Sequence, residues 1–386
     1  MRNWLLPEYI EDVMPAEAGR IESLRRQLLD LFKVHGYQYV IPPTLEYVES
    51  LITGTGSKLD TATFKVVDQL TGRMMGIRAD TTPQVARIDA HMLNHEGVSR
   101  LCYAGTVLRN NPSGLARTRE PLQVGAELFG HAGVESDVEI QRLMIKALKA
   151  IGITGLHVDL SHVGVFESLI EAADIDETLE HALHAALLSK DKTLIAELAN
   201  DLDEDIKQAL VKLTDLNGDV NILAEAASVL PKLPKVARAL QDLAVVAEQL
   251  NDLDLTLGFD LSELRGYHYH SGLVFAAYAQ NCAGPLALGG RYDEVGIAFG
   301  RARPATGFSL DLRGVATALD TATSPKGILA PLSDDEALRE KVESLRNTGE
   351  IVIQALKNDQ TSHVELNCNQ ELKKQNGEWQ VVPLAG

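Results

Sequence analysis

The stretch LQVGAELF, residues 122–129, carries the clearest strand pattern in the chain. In an extended backbone alternate side chains share a face, so Leu122, Val124, Ala126 and Leu128 form an apolar side that belongs against a core. Gln123, Gly125 and Glu127 form the other side. An amide, a missing side chain and a carboxylate in a row describe either a solvent-facing polar stripe or the floor of a polar ligand pocket. In the second reading Gly125 lets something approach the backbone closely.

Working outward, GIRADTTPQVAR (76–87) offers the same choice. If 78–82 is extended, Arg78, Asp80 and Thr82 share a face, and Pro83 opens a helix running to Leu93. The plainer alternative is that Asp80 or Thr82 only caps that helix. Strands are expected near 37–41, 64–67, 73–78, 101–109 and 156–160. A loop bearing Arg117 and Arg119 follows Arg109, suited to a carboxylate or phosphate or simply to solvent. Apolar residues at helical spacing predict helices over 16–35 (Ile21, Leu24, Leu28, Leu31, Phe32) and 137–151. Residues 174–250 hold no Phe, Tyr or Trp and 15 acids against 7 bases, which predicts an all-helical insertion of several short helices with acidic faces. Pro231 and Pro234 mark a break within it. Strands return at 255–261, 273–278 and 307–310, with a helix at 312–319. Thr321–Gly327 reads as a linker to a small α/β tail with strands near 351–355, 363–366 and 379–382. Strands that precede, surround and follow helices without a βαβ rhythm predict an α+β fold on a mainly antiparallel sheet. The expected division is a core domain over 1–320 and a small C-terminal domain over 321–386.

Composition narrows the function. Thirty-six basic against 54 acidic residues leave a net charge of −18, which offers no general attraction to a polyanion. No run approaches the length of a membrane span. Cys102, Cys282 and Cys368 are odd in number and far apart, which suggests neither a disulfide framework nor a zinc spacing and fits a cytoplasmic protein. His268 and His270 alternate in LRGYHYHSGLVF (264–275) as a two-histidine metal site would, but no third ligand stands at a convincing spacing. His91 and His95 do not form HExxH and read as a solvated helix face. In LGGRYD (288–293), a glycine-rich turn, Arg291 and Tyr292 are expected to be exposed to whatever lies above. No nucleophile–base–acid set, GxGxxG or P-loop is present.

Taken together, these segments resemble the catalytic core of histidyl-tRNA synthetase. HGYQYVIPPTLEY (35–47) resembles the first class II motif, GIRADTTPQVAR the segment LRPEGTAxxAR, and TVLRNNPSGLARTREPLQVGAELFG (106–130) the second motif. LRGYHYHSGLVF and GGRYD resemble the two segments particular to the histidine enzyme. The resemblance extends over about 1–320 and implies a class II six-stranded antiparallel sheet flanked by helices, usually dimeric. It further implies a histidine pocket in which Asp80, Thr82 and Gln123 hold the α-amino group. Arg265 and Gln123 stand near the carboxylate, Glu127 faces the imidazole, and Tyr292 and Tyr269 form walls. Arg109 also fits amino-acid binding, and His270 replaces a tyrosine at the pocket edge.

The nucleotide side departs from the synthetase. Leu108 replaces a glutamate, Pro121 replaces the phenylalanine that stacks on adenine, and Gly314 stands at the arginine of the third motif. Arg313 is one residue early, about 100° round a helix. The tail does not resemble the anticodon-binding domain. This combination is similar to the regulatory subunits of ATP phosphoribosyltransferase. It implies a chain with no catalytic residues, metal or cofactor, and no tRNA or membrane partner. Its implied partners are a short-form catalytic subunit in a hetero-octamer, at the first step of histidine biosynthesis, and L-histidine as allosteric feedback inhibitor. An active synthetase, a class II paralogue charging another acceptor, and a scaffold without ligand remain the alternatives.

Overall fold

A computed structural model describes residues 5–52, 56–112, 114–267, 269–280, 282–319, 326–358 and 361–384. The chain forms two compact units, Met1–Asp320 and Thr321–Gly386.

The first unit is organised by a nine-stranded sheet. Its six central strands are, in spatial order, Ser99–Thr106, Leu122–Phe129, Ala305–Asp311, Ala287–Arg291, Leu273–Ala279 and Leu156–His162. Every neighbouring pair among them is antiparallel, as the strand patterns and the class II resemblance imply. Three short strands widen the sheet. Gln38–Tyr39 pairs parallel with 99–106, Thr256–Asp260 pairs parallel with 156–162, and Asn217–Gly218 closes the far edge. A separate three-stranded sheet joins Leu45–Tyr47, Met74–Ile77 and Phe64–Val67.

Helices cover one face. Pro15–Val34 has a proline in its first turn and buries Ile21, Leu24, Leu28 and Phe32, which recur every three or four residues. It stops before Gly36, whose φ of +85° is unstrained only for glycine. Val134–Ala150 starts three residues earlier than its apolar pattern suggests, because Glu135 and Asp137 suit the positive end of a first turn. The segment after Asp80 is helical from Thr82 to Arg87 and then widens into a π turn over Ile88–Leu93.

Residues 174–250 differ from the sequence expectation in two respects. Five helices are present, Glu177–Leu188, Lys192–Leu198, Glu204–Leu213, Asn221–Val229 and Pro234–Leu250, but the last runs 17 residues and Asn217–Gly218 is a strand. Asp176, Asp191 and Asp203 cap three of them through their carboxylates. Their apolar residues, among them Leu183, Leu187, Ile195, Leu210 and Leu243, belong to the same core cluster as Val124, Ala126 and Leu128 of the sheet. The insertion is therefore built into the core.

The second unit pairs Val352–Gln354, Gly327–Ala330, Cys368–Gln375 and Glu378–Pro383 in that order, with the helix Glu336–Asn347 packed through Leu338 and Val342. The strands near 352 and 379 follow their apolar patterns. The expected strand at 363–366 is instead a turn, and pairing begins at Cys368. Most of the expected linker, 321–325, lies outside the described residues. Among the described residues no helix is long and apolar enough to cross a membrane.

Candidate functional site

The face of the sheet opposite the helices Pro15–Val34 and Val134–Ala150 holds the candidate site, and the segment Thr82–Leu93 packs on that same face. Glu127, Gly307, Gly290, Val274 and Ser161 are successive partners across five strands. At strand spacings of 4.7–4.9 Å the row is about 19 Å long. Above it lies a cavity of about 250 Å³. Asp80, Thr82, Arg109, Gln123, Glu127, Arg265, Tyr269, His270 and Tyr292 all line it.

Glu127 stands at one end of the row, 1% exposed. The hydroxyls of Thr82 and Tyr103 each donate to its Oε1 at 3.0 Å, and the Tyr292 hydroxyl donates to Oε2. A carboxylate oxygen has two lone pairs, so Oε1 is saturated and one site remains on Oε2. Burial pushes the carboxyl up to about 8, against the three hydroxyl donors, which favour the ionised form. Gly307 is required here: a Cβ at that position would overlap Glu127 Oε2 and the Ala126 carbonyl.

The polar readings of 76–87 and 122–129 prove to be joined. Gln123 donates through Nε2 to Asp80 Oδ1 (2.9 Å) and Ser309 Oγ (3.2 Å), and its Oε1 accepts from Thr81 N. Asp80 Oδ1 also accepts from Thr82 N at 3.0 Å, a local turn bond; the N-cap position of the helix is Thr81, so neither Asp80 nor Thr82 is its cap. Gln123 and Glu127 are buried in this cavity, which rules out a solvent-facing stripe. Arg109 donates from Nε to the Ala79 carbonyl. Arg265 is exposed at the cavity edge, where Glu263 holds both its guanidinium (3.1 Å) and its backbone N–H (2.9 Å).

Tyr269 stacks on Tyr292 with centroids 5.3 Å apart, and its buried hydroxyl has no partner. His270 donates from Nδ1 to the Gly266 carbonyl at 3.1 Å, and its ring lies where a Cβ of residue 290 would stand. Burial pushes its imidazole down to about 4, so the ring is neutral.

Several expectations are corrected. Arg78 does not share the face of Asp80 and Thr82, because its guanidinium donates to the Thr106 and Pro42 carbonyls. Arg291 is not exposed. It lies on the opposite side of its strand from the cavity, bonded to Asp137 Oδ2 at 2.6 Å and to the His131 and Gly133 carbonyls. The space over Gly125 is filled by the Tyr103 hydroxyl of the neighbouring strand. Tyr103, Ser309 and Gly307 were not anticipated; only the strand register brings them in. His268 lies outside the described residues, and His91 and His95 are exposed. Among the described residues no cluster of three His, Cys, Asp or Glu could hold a metal ion.

A second cleft adjoins the first, sharing Arg109, Gln123, Leu288 and Ser309. It is lined further by Leu115, Arg117, Pro121 and Asp311. Arg313 is turned aside, donating to the Glu120 carbonyl and the Glu11 carboxylate. Arg119 lies over the Phe64 ring at 4.6 Å.

A six-stranded antiparallel sheet carrying this pocket defines a class II synthetase-like protein, and the family model described as histidyl-tRNA synthetase matches residues 9–315. A second model, described as the C-terminal domain of the ATP phosphoribosyltransferase subunit HisZ, matches 325–382. The chain is 64% identical over 382 residues, 99% of each chain, to the ATP phosphoribosyltransferase regulatory subunit of Methylobacillus flagellatus. It is 55% identical to that of Nitrosospira multiformis, covering 99% of this chain and 98% of the relative. Among solved structures, an ATP phosphoribosyltransferase regulatory subunit/histidyl-tRNA synthetase from Bacillus halodurans superposes with a TM-score of 0.81 at 27% identity, over 94% of this chain and 95% of that one. The chain belongs to the family of ATP phosphoribosyltransferase regulatory subunits.

Proposed function

We propose that this subunit is a non-catalytic histidine sensor that activates a short-form ATP phosphoribosyltransferase catalytic subunit and transmits feedback inhibition to it, in the cytoplasm. The observation that carries the reading is the Glu127 end of the cavity: a buried carboxyl with one unused acceptor site, fixed by three hydroxyls above a glycine floor. A single acceptor held in a dry pocket suits one imidazole N–H, and a side chain lacking that donor would leave the carboxyl unpaired. Asp80, Thr82 and Gln123 offer acceptors to an α-amino group, and Arg265 and Arg109 offer cationic heads to a carboxylate. Tyr269, His270 and Tyr292 close the walls.

Histidine then acts only through a difference in its affinity between two states of the complex, on the usual scale of about 5–150-fold. Assembly as a dimer within a hetero-octamer follows the family resemblance. The test has three parts. Calorimetry with L-histidine is expected to give saturable one-site binding. Co-purification with a short catalytic subunit is expected to yield a complex whose activity histidine inhibits. Histidine-dependent pyrophosphate exchange with ATP is expected to be absent, and robust exchange by the purified chain would restore the synthetase reading.

A further inference from the structure

The turn between the strands Thr256–Asp260 and Leu273–Ala279 has two working faces. Arg265, Tyr269 and His270 line the cavity from it. Its other residues are gripped by helices that lead into and form the insertion. Tyr267 packs edge-on against Phe166 of the helix Val163–Ala172, centroids 5.1 Å apart, and lies tilted by 30° against His184 of the helix Glu177–Leu188 at 5.4 Å. Three polar ties accompany the rings. His184 donates from Nε2 to the Leu264 carbonyl at 3.1 Å, the Gly272 carbonyl accepts from Val163 N at 3.0 Å, and a third tie follows at the start of the turn. Lys190, just past that helix, pairs with Asp260 at 2.7 Å where the turn begins.

Packing alone would need only apolar contact. Directional bonds landing on 260, 264 and 272, and ring packing on 267, with the pocket residues 265, 269 and 270 between them, leave the turn little freedom to move by itself. The Gly266 carbonyl, in a residue of φ +74°, accepts from Tyr269 N, His270 N and His270 Nδ1, which knots Gly266 to Tyr269 and His270. A change at Arg265 therefore reaches Tyr267 as a displacement of the whole knot.

We infer that Tyr267 is a positioning residue that couples the histidine pocket to the helix Glu177–Leu188. The inference rests on the proposed reading of the cavity. Its origin is a change of partner: a ligand carboxylate at Arg265 competes with Glu263, which holds both the guanidinium and the N–H of Arg265. Release of that clasp gives the ligand different contacts in two arrangements of the turn, the requirement for any coupling. Coupling is reciprocal, so whatever docks on the 177–188 helix and shifts it changes histidine affinity by the same factor.

Amide hydrogen exchange on the full chain, with and without L-histidine, tests this. In the wild type, histidine is expected to alter exchange across 177–188. In Tyr267→Ala the histidine Kd is expected to stay within the same order of magnitude, while that remote change falls by about fivefold or more. Tyr267→Phe keeps the rings packed and is expected to restore most of it. In the complex with the catalytic subunit, Tyr267→Ala is expected to bind histidine yet to be inhibited by it less. If Tyr267→Ala does not fold, His184→Phe decides, since it keeps an aromatic ring against Tyr267 and removes the donor to Leu264, and the remote change is expected to fall in it as well. Undiminished remote exchange and undiminished inhibition in a variant that binds histidine overturn the coupling and leave the pocket reading standing. A wild-type chain that binds no histidine overturns the pocket reading and the coupling with it.

Discussion

The two clefts share a floor and differ in how that floor is finished. Both rest on the strands 122–129 and 305–311 and meet at Gln123 and Ser309. At the Glu127 end, polar atoms are matched in number and direction, and Gly307 leaves room for the carboxylate. At the Pro121 end, an aliphatic ring stands on the wall and Arg313 is committed elsewhere to Glu120 and Glu11. Specific recognition needs buried polar groups placed so that only one ligand satisfies them. One end of this sheet is finished in that way, which is what the proposed imidazole site requires; the other sets Pro121 beside Arg109, Arg117 and Asp311. The difference lies in a few side chains on a common backbone.

The largest expected effect falls beneath the imidazole end. Arg291 and Asp137 form a buried ion pair, side chains 8% and 2% exposed, and Arg291 ends the strand just before Tyr292. Arg291→Met strands the Asp137 charge, which is expected to lower unfolding stability by about 3–5 kcal/mol. Replacing both with apolar residues of similar volume should recover most of that loss, measured by urea denaturation. If the single variant costs less than about 1 kcal/mol, the wall that carries Tyr292 does not depend on this pair.

Next comes a matched pair of glycines. Gly307→Ala places a methyl on Glu127 and is expected to weaken histidine binding by about 100-fold, or 2.7 kcal/mol, together with an overpacking cost of about 1–3 kcal/mol. Gly314→Ala, beside the other cleft, meets Asp311 at 3.2 Å and is expected to change histidine affinity by less than about 0.5 kcal/mol. Calorimetry on the two variants sharpens the contrast, and equal losses would erase it.

Glu127→Gln removes one charged acceptor and is expected to cost about 1–3 kcal/mol of histidine binding. It also carries a pH signature. The Glu127 carboxyl titrates near 8 when folded, against 4.5 ordinarily. Between those values the folded state keeps a proton that the unfolded state has released, so its contribution to stability is complete below about pH 4.5 and is lost progressively up to about pH 8. The Gln variant lacks that loss. Without ligand it is expected to be the more stable protein above pH 8 and to show a flatter stability profile from pH 5 to 8. A thermal-denaturation series showing parallel profiles would mean that Glu127 is ionised in the empty pocket.

Much of this was legible in the chain because it is local. The alternation of 122–129, the helical spacing of Ile21 to Phe32 and the acidic, aromatic-free stretch 174–250 each report a face or an element directly. The nine candidate residues meet in one cavity because their segments lie on adjacent strands and on the turns that roof them. What was not legible depends on register. Tyr103 reaches Glu127 because it pairs with Gly125 across strands, and no spacing within 99–106 announces that. Arg291 was misjudged because, one residue from Tyr292, it takes the opposite face, and its partner Asp137 is 154 positions away. The tail helix Glu336–Asn347 was missed, since only two of its twelve residues, Leu338 and Val342, are buried and the apolar signal is correspondingly thin.

The comparison depends most on a null effect, the absence of any response to ATP. A ligand that binds only the folded chain stabilises it by about 2.7 kcal/mol at a hundred times its Kd. Histidine at that excess is expected to raise the melting temperature accordingly, whereas ATP at the same concentration, with or without magnesium, is expected to leave it unchanged. The physical reason is the finish of the second cleft: Pro121 presents no aromatic face to a purine, and the Arg313 head is held away by Glu120 and Glu11. Freeing Arg313 by Glu11→Gln should alter little, because a cation without a stacking wall adds only weak, salt-screened attraction. If ATP stabilises the chain as strongly as histidine does, a proline-walled cleft can hold a nucleotide, and the two ends of the sheet are functional equals.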